Sequence, residues 1–134
     1  MNGKVHLAFL AVVILQAFHS VEEYVGQLWE NFPPATFLCG LISDDLEKGF
    51  LIINIGLFVA GLIVWWFVVK PNRISAGFFI WFWIVIELIN GVGHPVWSVM
   101  QNSYTPGLIT APLLFIAAIH LMRMWLLRSP IVEH

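Results

Sequence analysis

Four stretches of this chain are apolar for long enough to cross about 30 Å of hydrocarbon as helices. They run from about Val5 to Gln27, Gly49 to Val69, Ile74 to Met100 and Pro106 to Leu127. The runs are continuous rather than alternating, which argues against membrane strands and for helices, whose backbone is satisfied within each segment. The breaks carry turn chemistry. Asn31-Phe32-Pro33-Pro34 is expected to end the first span, and Lys70-Pro71-Asn72-Arg73 to form a tight turn between the second and third. Thr105 is expected to cap a fourth helix whose first residue is Pro106, a favoured place for proline. Ile42 to Lys48 reads as a short surface helix with Ser43 as its cap. In the third span, Pro95 with Gly91 and Gly93 predicts a kink that frees a carbonyl; the glycines also suit close helix packing. No repeat, low-complexity tract or second domain is visible. Residues 1–134 therefore read as a single domain, an all-α integral membrane four-helix bundle with a kinked third helix.

Composition supports the membrane reading. The chain is 60% hydrophobic and 10% charged with a mean hydropathy of +0.87, where a soluble domain carries about 25% charged residues. A net charge of −2 gives no reason to expect nucleic acid as a partner. The lone Cys39 cannot form an internal disulfide. The first apolar run outlasts a signal peptide and is followed by no small-residue cleavage site, so it is expected to be a retained helix. With four spans, Lys4, Lys70, Arg73, Arg123 and Arg128 share one side, and Lys48 stands on the other beside Glu30, Asp44, Asp45 and Glu47. That asymmetry predicts cytoplasmic termini, in what we expect to be a bacterial inner (plasma) membrane.

The polar residues inside the spans change the picture most. A carboxylate at mid-bilayer costs about 2.5–3.5 kcal/mol on insertion scales, and the spans hold Glu22, Glu23 and Glu87. Something must offset that cost. At 1.5 Å per residue, His19, Glu22 and Glu23 lie roughly 21–27 Å up the first helix, and Glu87, Asn90 and His94 roughly 20–30 Å up the third. Spacings of three and four place each set on one helix face. Facing stripes of Glu and His are how helical bundles build di-metal carboxylate sites. Candidate metal ligands are His19, Glu22, Glu23, Glu87, Asn90, His94 and, lower in the last span, His120. Glu22, Glu23 and Glu87 are also the candidate catalytic groups. The cofactor expected is a divalent metal, with iron, zinc and manganese all suited to mixed imidazole and carboxylate ligands. Asn54 reads mainly as helix–helix glue; with Trp81, Trp83, Tyr104 and Thr110 it is also a candidate lining of a substrate pocket. His6 and His134 are terminal and read as solvated.

The run His19-Ser20-Val21-Glu22-Glu23 resembles the signature of the HXXEE family of small membrane proteins. The resemblance continues through Glu87-Leu88-Ile89-Asn90-Gly91-Val92-Gly93-His94, then Tyr104 to Pro112 and His120. It implies a compact multi-span protein with a shared His/Glu site, and it brings no established reaction. A more distant similarity, in layout and not in motif, is to sterol isomerases. The residues themselves lead to a metal-dependent membrane enzyme, with one or two ions, oxidising or hydrolysing a lipid-like or other apolar small molecule. The expected partners are membrane lipids and that substrate. Alternatives are a metal-free His/Glu isomerase or cyclase of sterol or isoprenoid type, and a non-enzymatic metal-binding, haem-binding or proton-path protein.

Overall fold

The computed structural model describes residues 3–128, which are helical and contain no strand. The first helix, α1 (Gly3–Val25), ends earlier than the sequence suggests. Gly26 packs so closely on the Pro106 ring that a Cβ would stand 2.5 Å from its Cγ. Gln27 follows in the left-handed region with φ 53°. Asn31 to Pro34, expected to end the first span, instead contribute to two short helices, α2 (Leu28–Asn31) and α3 (Pro33–Ile42). Pro33 opens α3, where a missing N–H leaves no intrahelical bond unmade.

No separate helix covers residues 42–48. Ser43 accepts the Asp45 N–H at 3.2 Å, and Asp45, not Ser43, caps α4 (Leu46–Val64) by accepting from Lys48 N at 3.3 Å. At Trp65–Val69 α4 widens into a π turn, with Lys70 N donating to Trp65 O at 2.8 Å. The expected turn follows, with Asn72 at φ 56° and Arg73 Nε donating to Phe67 O at 2.8 Å.

The helix α5 (Ala76–Gln101) runs without a break through Pro95. Of the two roles open to its glycines, close packing is visible at Gly91, where a Cβ would stand 2.6 Å from the Phe115 Cβ. Nothing approaches Gly93. The last helix, α6 (Ala111–Leu126), starts later than expected, with Pro112 rather than Pro106 in its first turn. Gly107, at φ 97°, breaks the backbone between them. The Thr105 hydroxyl bonds Ser98 instead of capping a helix.

Among the described residues, three helices are long and apolar enough to cross a membrane: Gly3–Val25, Leu46–Val69 and Ala76–Gln101. α6, with 16 residues, extends only about 24 Å at the helical rise. Its C-terminal end nevertheless reaches the N-terminal end of α5, since a Cβ on Gly77 would stand 3.0 Å from Trp125 Cζ2. The loop after α5 is folded back into the protein, with Thr105, Pro106 and Gly107 buried.

α6 packs along both α5 and α1, and α4 packs along α1. The half that holds the N-terminus of α1 is filled by Phe9, Val12, Val13, Ile80, Trp83, Ile84, Leu121 and Trp125. A Cβ on Gly61 would meet Val13 Cγ1 at 2.9 Å, so glycine there lets α4 approach α1. A smaller cluster of Leu28, Trp29, Cys39 and Phe50 ties α2 and α3 to α4. His6 is half-buried, its carbonyl accepting from Trp65 Nε1 at 3.1 Å, so the solvated reading does not hold for it. His134 lies outside the described residues.

Candidate metal centre

On α1, Gln16, His19 and Glu23 form one buried edge, because steps of three and four residues return to the same side of a helix. On α5, the buried edge is Glu87, Gly91, His94 and Ser98. The two edges meet at His19 and His94. Their Nε2 atoms lie 3.1 Å apart, with the rings edge to face. Glu23 completes the group: its Oε1 is 3.5 Å from His19 Nε2 and its Oε2 is 3.5 Å from His94 Nε2. All three residues are buried, and each offers a ligand atom within 4.8 Å of the others. A tetrahedral ion with bonds of about 2.0–2.1 Å holds its ligand atoms about 3.3–3.4 Å apart. The two imidazole nitrogens, 3.1 Å apart, lie near that value, and Glu23 turns a different oxygen to each of them.

The surroundings orient the imidazoles. Thr110 Oγ1 donates its single proton to Glu22 Oε1 at 2.6 Å. It must then accept from His19 Nδ1, which lies 2.6 Å away. On this assignment of hydrogens, His19 carries its proton on Nδ1 and turns the Nε2 lone pair to the cluster, the arrangement that metal-binding histidines use. His94 Nδ1 is buried with no hydrogen-bond partner among the described residues. Gly107 closes the cluster from the loop side, where a Cβ would stand 2.5 Å from His94 Cε1 and 2.9 Å from His19 Cε1.

Glu22 stands apart from this group. Its carboxylate accepts from Thr110 N (2.8 Å), Ile109 N (3.1 Å), the Thr110 hydroxyl and the Tyr104 hydroxyl (2.6 Å each). It anchors the α5–α6 loop, and Thr110 links it to His19. Partial burial and then the bond to Glu22 push the Tyr104 phenol up to about 12. A raised phenol holds its proton more tightly folded than unfolded. Its contribution is therefore complete below about pH 10 and lost as pH rises through the folded value. In a Tyr24→Phe background, tyrosinate absorbance should appear near pH 12 and shift toward 10 in Glu22→Gln. No shift on substitution would mean that the bond does not hold the loop.

The remaining candidates are dispersed. Glu87 is fully buried and outside the group of three. Seven residues from His94, it lies about 10 Å farther along α5. With the Gln16 carboxamide turned so that nitrogen faces Glu87, Gln16 donates to Oε2 at 2.7 Å, and Asn90 Nδ2 lies 3.4 Å from the same oxygen. His120 is exposed on α6 and also outside the group. Asn54 accepts from Ser20 Oγ at 2.9 Å and ties α4 to α1.

A cavity of about 730 Å³ opens between α4 and α5, with Glu23, Gln16, Asn54, Asn90 and Trp83 among its lining residues. Trp81 faces a separate surface groove with Phe78 and Phe82. Sequence reasoning missed Gln16, although it lies three residues before His19 on the same stripe. It also missed Gly107, whose glycine-only contact no spacing reveals.

A family profile described as "Protein of unknown function with HXXEE motif" matches residues 10–122. No curated protein and no solved structure matches the chain.

Proposed function

The chain belongs to the HXXEE family, whose function is unknown, and from its site geometry we propose that it is a membrane enzyme using one divalent metal ion on a lipid-like substrate. The observation that carries this reading is the convergence of His19, Glu23 and His94. Two histidines and one carboxylate, with positions left open for substrate, are the ligand set of catalytic zinc and of non-haem iron(II) sites. The chemistry such an ion supplies when bound is hydrolysis for zinc and oxidation for iron.

One ion suits the donors better than two. Glu22 spends its oxygens on the loop, and Glu87, Asn90 and His120 lie outside the converging group. Haem suits them poorly, because the facing Nε2 atoms are 3.1 Å apart and leave no gap for a porphyrin between them. Within the proposed site, Thr110 and Glu22 hold the His19 tautomer, and Gly107 excludes water from the loop side. The lipid-facing surfaces of α4 and α5 admit an apolar substrate sideways. Both termini face the cytoplasm on the basic-residue argument, which puts the centre toward the opposite face.

Glu87 supports a second reading, a metal-free acid–base isomerase, because it is fully buried with Gln16 and Asn90 around it. Elemental analysis of the purified chain separates the two. About one equivalent of a transition metal per chain is expected. A protein that turns over while free of metal would leave the acid–base reading standing instead.

A further inference from the structure

The cavity between α4 and α5 has a direction. Its register follows from contacts on α1: Ser20 bonds Asn54, Val13 lies against Gly61, and Phe9 packs edge-on against Trp83. The polar lining residues, Gln16, Glu23, Asn54 and Asn90, occupy the outer half. From Asn54 inward to Val64 the α4 wall contains no polar side chain over about 15 Å of helix. The facing wall there is Phe79, Phe82 and Trp83.

Both ends are determined by other elements. At the outer end α3 forms a roof: Leu38 and Cys39 line the cavity, and Cys39 O lies against Gly49, about 7 Å beyond Asn54 along α4. At the inner end the π turn brings α4 back onto α5. Between these closures the helices stand apart, so the opening faces the bilayer. Small residues make the room: Gly56 and Ala60 line the cavity, and a Cβ on Gly56 would meet nothing within 4 Å.

We propose that this cavity holds one single-chain amphiphile, with a small uncharged alcohol or aldehyde head beneath α3 beside Glu23 and its tail running inward along Gly56 and Ala60. The apolar length of about 15 Å equals half the hydrocarbon thickness of a bilayer, the reach of one chain. The volume of about 730 Å³ falls within the range of sites for a single small ligand. The α3 roof argues for the small head, since a charged phosphodiester under it would lose its water without a cation among the lining residues. The assignment of the head to the reacting end rests on the metal-enzyme reading above; the seat for the tail does not.

The test uses the full chain in lipid nanodiscs and displacement of radiolabelled hexadecan-1-ol by saturated primary alcohols of about 8 to 18 carbons, whose tails gain contacts until the apolar length is filled. Affinity should climb with length and then level off. Ala60→Phe should cut the affinity of the longest alcohols about tenfold and leave the shortest unchanged. Gly56→Phe should act likewise and serves if the first variant misfolds. Val92→Phe, on an exposed face of α5 away from the cavity, should change nothing. Unaltered long-chain binding in both cavity variants would overturn the proposal, as would displacement by a rigid sterol alone.

His94→Ala keeps the two readings distinguishable. Chain binding within about threefold of wild type is expected when metal is lost. A metal-free wild type that still shows the length limit would remove the metal reading and leave this one. A metal-loaded protein with no length limit would do the reverse.

Discussion

Substituting Glu23 or His94 with alanine should reduce bound metal from about one ion per chain to less than about a tenth, because two remaining donors do not make a three-ligand site. The contrast among variants matters more than the loss. Glu22 and Glu23 are neighbours in sequence, and both stand three or four residues from His19. Only Glu23 lies within 3.5 Å of both imidazoles. Glu22→Gln should therefore retain metal at saturation, with affinity reduced about 10–100-fold through the slackened Thr110–His19 bond. Glu87→Gln and His120→Ala should retain it with little change. Equal loss in Glu22→Gln and Glu23→Ala, measured by elemental analysis of folded protein, would show that the centre is built differently.

Gly107→Ala should damage the site nearly as badly as removing a ligand. At φ 97° an L-residue costs about 1–2 kcal/mol in strain, and the added methyl would stand 2.5 Å from His94 Cε1 and 2.6 Å from its Nδ1. Backbone strain alone would lower thermal stability modestly. Displacement of both imidazoles should also weaken metal binding by about 100-fold or more, judged against the 10–100-fold typical of lost outer-shell contacts. A variant of lowered melting temperature and intact metal affinity would show that the loop yields and the histidines do not depend on Gly107.

Much of this arrangement was legible in the sequence. Continuous apolar runs located α1, α4 and α5 to within a few residues, and helical spacing brought His19 and Glu23 to one face and Glu87 and His94 to another. The same spacing could not separate Glu22 from Glu23, because steps of three and four from His19 diverge by only about 100°. The choice depends on the α5–α6 loop, whose backbone N–H groups capture Glu22. That loop was misread for a physical reason: Pro106 suits a first helical turn, but the following Gly107 takes a left-handed conformation that α-helix does not tolerate. Proline misled similarly at Pro33, which begins a helix in a place where it was expected only to end one. Gln16 was hidden among apolar residues and becomes visible only when the stripe through His19 is extended backward.

The folded-back loop sets an order of events during synthesis. His19 and Glu23 belong to the first helix, but Gly107 and Thr110 are made only after α5. Until that part arrives, His19 has neither its Thr110 contact nor its cover, and His94 is open on the side that Gly107 later fills. At the metal centre proposed above, loading would thereby wait for the α5–α6 loop to be made. A ribosome-stalled product ending before Tyr104 should insert its helices and hold an ion only weakly, so that the loop and a capable site come into being together.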